Sequence, residues 1–248
     1  MSTAADEAVS LQAALALLEQ GELTVRGLLP GSSNYTFLAE VHTATLQAMV
    51  IYKPRQGEAP LWDFPRGTLY QRERAAYVLS SALGWAIVPP TVLRHGPHGQ
   101  GAVQLFVDAD FSRHYFKLRE DETLLPALRC IAVFDLLVNN ADRKAGHTLS
   151  DNAGRIWAID HGVCFHVEDK LRTVIWDFAG EPLPAALLAD LAALRPQLDP
   201  PAPLAAELLA LLSPAELRAL ATRTDCLLDT QRFPHPDPER RCFPWPLI

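Results

Sequence analysis

Apolar and polar positions change their spacing twice along the chain. Residues 11–18 carry apolar side chains at helical intervals with Gly21 just beyond, which predicts a short amphipathic helix and its stop. From Leu23 the pattern turns strand-like. Segments 23–28, 35–41 and 46–52 are rich in β-branched and aromatic residues, with the turn formers Pro30, Gly31, Ser32, Ser33 and Asn34 between the first two. A looser stretch, 54–67, leads into a predicted helix at 68–83. Its apolar face (Leu69, Ala76, Val78, Leu79, Leu83) is broken by Arg72, Glu73 and Arg74. Strands are predicted again at 88–93 and 102–107, with a turn over 95–101.

After Asp108 the helical period takes over. The strongest helix is 124–139, apolar except for Asp135. A polar turn (139–147), a short strand (148–149), a turn at 151–154 and another strand (156–159) follow. Three Ala/Leu-rich helices, at 183–194, 203–212 and 214–228, have proline at or near the first turn, where it is tolerated. The tail from Phe233 to Ile248 contains Pro234, Pro236, Pro238, Pro244 and Pro246 and reads as an extended strap on the helices or a mobile end, outside any site. The pattern predicts an α+β, two-lobed chain: a small antiparallel β-rich N-lobe over residues 1–108 and a helical C-lobe over 109–248, with a cleft near Asp108.

Composition narrows the class. The 248 residues are 49% hydrophobic and 21% charged, enough for a real core and unlike a disordered chain. No stretch reaches the roughly 18 apolar residues of a membrane span. The acidic start, MSTAADEAVS, lacks the features of a signal peptide, so a cytoplasmic address is expected. A formal net charge of −7 argues against nonspecific nucleic-acid binding. Cys130, Cys164, Cys226 and Cys242 form no CxxC pair, which excludes a zinc ribbon or a dithiol redox motif. Trp62, Trp85, Trp157 and Trp176 read as packing residues. Arg26, Arg55, Arg66, Arg72 and Lys170 or Arg172 either form a basic rim for an anionic substrate or, as the default reading, are scattered surface charges.

The chemistry concentrates in two turns. Asp142 lies in Asn139-Asn140-Ala141-Asp142-Arg143-Lys144-Ala145-Gly146-His147, and Asp160 ends a strand in Ile159-Asp160-His161-Gly162. A helix, an Asp-bearing loop and a hairpin that exits on a second Asp bring two carboxylates near each other. Phosphoryl transfer uses such a pair, one carboxylate for the acceptor hydroxyl and one for the metal on the phosphates. Upstream, Gly31-Ser32-Ser33-Asn34 joins two strands with residues small enough for backbone amides to approach an anion. Lys53 closes the next apolar strand, and Glu73 follows on a helix within ion-pairing reach.

The order of these features and their local spellings resemble the type II phosphatidylinositol 4-kinases and their bacterial relatives, within the protein-kinase-like fold. The matching stretches are 31–37, 51–54, Glu73-Arg74-Ala75-Ala76-Tyr77, Val103-Gln104-Leu105-Phe106-Val107, Asn140 to Arg143 and 158–162. More narrowly, the chain resembles uncharacterised bacterial proteins of the phosphatidylinositol 3-/4-kinase-like family. The resemblance implies ATP and Mg²⁺ or Mn²⁺ as cofactors, and transfer of the γ-phosphate to a hydroxyl of a lipid headgroup, small molecule or protein. It implies that Gly31, Ser32, Ser33 and Asn34 cover the phosphates and that Lys53 binds them, paired with Glu73. Gln104, Leu105, Phe106 and Val107 would lie along the adenine. Asp142 would be the catalytic carboxylate, Arg143 would brace the loop or a phosphate, and Asp160 would hold the metal. Five residues after the catalytic Asp the kinase pattern has a metal-binding Asn; this chain has His147, which either binds a softer ion such as Mn²⁺, leaves a single ion on Asp160, cripples metal binding, or only hydrogen-bonds within its loop. That departure leaves open a nucleotide-binding pseudokinase, or an AMP transferase, on the same fold.

Overall fold

A computed structural model describes residues 10–31 and 33–248; Ser32 of the expected phosphate loop lies outside the described residues. The chain divides into two compact units. One comprises the described residues up to Ala59 together with Pro90–Phe106; the other comprises Pro60–Pro89 and Val107–Ile248.

The first unit is a sheet crossed by one helix. Helix α1 (Leu11–Gln20) starts where Ser10 Oγ accepts from Ala13 N at 3.1 Å, a side-chain cap on an otherwise orphaned amide. Five antiparallel strands follow: β1 (Glu22–Leu28), β2 (Phe37–His42), β3 (Gln47–Pro54), β4 (Thr91–Gly96) and β5 (Gly99–Leu105). Their spatial order is β1-β2-β3-β5-β4. Alternate residues on one face (Ala39, Val41, Val50, Tyr52, Val92, Val103) meet Leu17 and Leu18 of α1 in a buried cluster. Each large side chain buried there contributes about 1.5–3 kcal/mol, which is why period-two segments settle as this sheet. The strands predicted at 88–93 and 102–107 are displaced by about three residues in opposite directions. Gly96 pairs with Gly99, and Gly99 at φ 89° allows so tight a reversal that most of the predicted turn is strand. Phe106 and Val107 consequently fall beyond the strand end.

The helical unit comprises α2 (Leu69–Ala82), α3 (Tyr115–Leu118), α4 (Leu125–Val138), the hairpin β6 (Thr148–Ser150) and β7 (Ile156–Ala158), α5 (Ala185–Leu194), α6 (Pro203–Leu209) and α7 (Pro214–Thr230). Helix α7 opens with a reciprocal cap: Ser213 Oγ accepts from Glu216 N, and Glu216 Oε2 accepts from Ser213 N at 2.8 Å. Arg72 and Glu73, expected to interrupt the apolar face of α2, are both buried. Arg72 is therefore not a surface charge. Its guanidinium donates to Cys164 O at 2.6 Å and to Glu216 Oε1 at 2.5 Å, so burial comes with compensating partners. Trp62, expected to pack, is 91% exposed, with Lys170 Nζ 5.1 Å from its ring centre. The predicted helix 203–212 stops three residues early, at Leu209. The tail is extended and strapped down: Cys242 O accepts from Thr173 N (3.0 Å) and from Trp176 Nε1 (3.1 Å). No described helix is long and apolar enough to cross a membrane, and the four cysteines form no disulfide.

Candidate functional site

The site in the helical unit grows from the last turn of α4. Asp135 is fully buried in an otherwise apolar helix. Helix α4 ends at Asn139, which takes a left-handed conformation (φ 53°) that Asn tolerates better than most residues. Asn139 Nδ2 then bonds His166 O (3.0 Å) and Glu168 O (2.6 Å), directing the chain into the polar loop. Asn140 ties that loop back to the helix. Its amide donates to Asp135 O, its Nδ2 to Asp135 Oδ1 (both 3.0 Å), and its Oδ1 accepts from Asp142 N at 2.9 Å.

Arg143 completes the brace. Its Nε and Nη2 donate to the Asp135 carboxylate at 2.9–3.0 Å, while Nη1 donates to His147 O (3.0 Å) and Ile159 O (2.8 Å). Nη2 also meets His161 Nε2 at 2.8 Å, a contact that requires that ring nitrogen to be the unprotonated acceptor. Burial works against the Arg143 charge, but Asp135 beside it more than offsets this and holds its pKa above the ordinary value. With 0% of its side chain exposed, Arg143 turns its donors inward onto Asp135 and the two backbone carbonyls.

This frame presents two carboxylates. Asp142 is one-third exposed and pairs with Lys144 Nζ at 3.1 Å. Burial raises its pKa, Lys144 pulls it down and the charge of Asp160 pushes it up again; the net direction is upward. Asp160 follows β7 with φ 61°, an uncommon conformation for a residue with a Cβ and one that recurs at functional sites. Its Oδ2 lies 3.3 Å from His147 Nε2. The next residue, His161, donates its amide to Glu73 Oε2 at 3.1 Å, so α2 holds the Asp160 turn from the other side. Asp142, Arg143, Lys144, His147, Asp160 and Glu73 are thus gathered in one unit.

The remaining expected residues lie in the sheet unit, apart from Val107. Gly31 has φ 80° in the β1–β2 loop, which is closed by Leu29 N donating to Thr36 O at 2.7 Å. Asn34 Oδ1 accepts from Ala59 N (2.7 Å) and Tyr35 N donates to Gly57 O (2.9 Å), which pins the loop to the chain following β3. Lys53 is opposite Ala102 near the end of β3, and Gly101 passes so close that an added Cβ would lie 2.4 Å from Lys53 O. Gln104 turns inward and bonds Thr91 Oγ1 at 2.8 Å. The amides of Leu105 and Phe106 donate to Pro90 O (2.8 Å) and Met49 O (3.0 Å), so these donors are already used within the sheet.

Sequence reasoning missed Asp135. The available signal was a single carboxylate inside an apolar helix, eight residues before an Arg. It also missed the tail: Leu247 O accepts from Ala145 N at 2.8 Å, so the strap expected to avoid the site touches its loop.

For a divalent cation, no cluster of three or more His, Cys, Asp or Glu side chains occurs among the described residues. Asp160 and His147 offer two donors. That fits an ion whose other ligands are phosphate oxygens and water, and the N/O pair favours Mn²⁺ over Mg²⁺.

The chain matches no protein-family model. It is 41% identical over 266 aligned positions to Protein Rv2133c of Mycobacterium tuberculosis, covering 94% of this chain and 95% of the relative. It is 32% identical over 138 residues to phosphatidylinositol 4-kinase gamma 4 of Oryza sativa subsp. japonica, across 45% of this chain and 23% of that one. Among solved structures, hydra Fam20 with sugar aligns at TM-score 0.54 and 15% identity, covering 91% of this chain and 89% of its own. The Golgi casein kinase with Mn/ADP bound aligns at TM-score 0.50 and 15% identity, covering 92% and 80%. These likenesses establish the kinase-like α+β fold, with its antiparallel sheet and helices.

Proposed function

The chain belongs to the family of the Mycobacterium tuberculosis Protein Rv2133c, and we propose that it is an ATP-dependent phosphotransferase whose catalytic carboxylate is Asp142. The observation that carries this reading is the pair Asp142 and Asp160, held on adjoining turns by the buried Arg143–Asp135 brace. Asp142 orients the acceptor hydroxyl and takes its proton. Its raised pKa makes it a stronger base than a solvated carboxylate, and Lys144 offsets part of that rise. Asp160 and His147 would hold Mn²⁺ or Mg²⁺ with the nucleotide, supplying positive charge to the phosphate oxygens. Lys53 adds a second positive charge on the phosphates, and Gly31, Ser33 and Asn34 cover them. Glu73 keeps the Asp160 turn in place through the His161 amide. Along the adenine, with the Leu105 and Phe106 amides used in the sheet, Val107 N–H is the donor left for the base edge. The reaction asks for positioning and charge more than covalent chemistry from the protein.

Purified protein incubated with γ-labelled or α-labelled ATP, with Mn²⁺ or Mg²⁺, tests this. The acceptors are phosphatidylinositol vesicles, a small-molecule alcohol panel and the protein itself. Transfer of γ label is expected, reduced by about 10²-fold or more in Asp142→Ala and Asp160→Ala. Transfer of α label would establish AMP transfer instead, and nucleotide binding without transfer to any acceptor would overturn the enzymatic reading.

A further inference from the structure

A groove of about 1010 Å³ opens in the helical unit between α7 and the chain that follows it; neither Asp142 nor Asp160 lines it, although Arg172, which does, is close enough to pull the Asp142 pKa down. Its floor is apolar, with Leu136, Trp176, Leu227 and Phe233 among its lining residues. Its walls carry seven Lys or Arg side chains and only two carboxylates, Asp169 and Asp237, in a chain of net charge −7.

Internal pairing uses up part of this charge. Arg240 bridges Asp169 (3.1 Å) and Asp237 (3.4 Å), and Lys170 is paired with Asp63 at 3.2 Å. Arg172, Arg218, Arg223, Arg232 and Arg241 remain, and none of the five is ion-paired among the described residues. A second observation points to a ligand. Arg223 bonds Leu137 O (2.7 Å) and His166 O (3.2 Å), but its Nη2 is buried with no hydrogen-bond partner among the described residues. Leaving such a donor unmet is costly for a charged group, a cost that a bound anion would remove. Burial lowers the Arg223 pKa to about 10, so the group is still cationic at neutral pH.

We propose that this groove binds a soluble, multiply phosphorylated small molecule through Arg172, Arg218, Arg223, Arg232 and Arg241. Guanidinium groups match phosphate oxygens with paired donors. At about −1.5 to −2 per phosphate monoester, two or three phosphates balance five arginines. The concave shape fits a compact ligand, whose apolar or ring portion rests on the floor, and the volume is close to that of ordinary small-molecule sites. A flat bilayer surface does not enter such a groove.

The test is calorimetric titration of the full chain with myo-inositol hexakisphosphate at near-physiological salt, without nucleotide or metal. Saturable one-to-one binding is expected, weakened about tenfold in each of Arg218→Ala and Arg241→Ala and about a hundredfold in the double variant. Both side chains are exposed, so the fold is expected to survive, as checked by circular dichroism. Arg26→Ala, on the sheet, should leave binding unchanged. Asp160→Asn should also leave it unchanged, which separates the groove from the nucleotide site. Absence of saturable binding, equal affinity in the double variant, or displacement of the polyphosphate by Mn²⁺–ADP would overturn the proposal. So would binding to phosphatidylserine vesicles without binding to the soluble probe.

Discussion

Asp135→Ala is the sharpest test of the brace beneath the site. The Asp135 carboxylate is 1% exposed and accepts from Arg143 Nε, Arg143 Nη2 and Asn140 Nδ2. Its removal leaves the Arg143 guanidinium buried and without a counter-charge, a change that costs about 3–5 kcal/mol. In urea, with a slope of roughly 2–3 kcal/mol/M, the unfolding midpoint of the helical unit should fall by about 1–2.5 M. Asp142→Asn is the contrast. That side chain is one-third exposed and its pair with Lys144 is worth about 0–1 kcal/mol, so the midpoint should barely move while phosphotransfer is lost. The double variant Asp135→Leu/Arg143→Met removes both charges and should recover most of the stability lost in Asp135→Ala. It should not recover activity, because His147 O and Ile159 O lose the donor that fixes the two carboxylate turns. If Asp135→Ala stays within about 1 kcal/mol of wild type, or the double variant is fully active, the brace does not do what its geometry implies.

Three further outcomes follow from the same contacts. Lys144→Ala removes the charge that lowers the Asp142 pKa, so the acid limb of kcat/KM should move to higher pH; a limb that stays put or moves down refutes the pairing. His147→Asn replaces an imidazole donor with an oxygen, so the ratio of Mg²⁺-supported to Mn²⁺-supported activity should rise, and an unchanged ratio removes His147 from the metal. Gly101→Ala puts a Cβ 2.4 Å from Lys53 O and 2.7 Å from Pro54 Cα. It should cost about 1–3 kcal/mol and weaken nucleotide binding, read as a lower Tm and a higher Kd for ADP.

What could be read in advance divides along physical lines. The sheet was legible because Ala39, Val41, Val50 and Tyr52 alternate with outward-facing neighbours, a local signal. The two acidic turns were legible because Asp142 and Asp160 sit in short polar interruptions between regular elements. Arg72, Glu73 and Asp135 were not legible as core. A charge is buried only when its partner arrives from elsewhere, and here the partners are Glu216, the His161 amide and Arg143. Periodicity scores such residues as breaks in an apolar face. The strand shift at 91–105 was hidden for a similar reason, since a glycine pair at the reversal becomes strand only once Gly96 and Gly99 face each other.

The buried Arg143 also explains how the loop can hold its carboxylates together at all. Asp142 and Asp160 raise each other's energy when both are ionised, and the upward push of Asp160 on Asp142 records that repulsion. A flexible loop would relieve it by moving apart. In this chain the backbone on either side is tied to one rigid group: Arg143 reaches His147 O and Ile159 O with the same nitrogen, while Asp135 neutralises it from behind. Lys in place of Arg143 would keep the charge but lose the planar fork that serves carboxylate and carbonyls together. Arg143→Lys is therefore expected to preserve most of the stability and lose most of the activity, the pattern of a positioning residue. If it loses both in proportion, Arg143 supports only the fold and the carboxylates are held by other contacts.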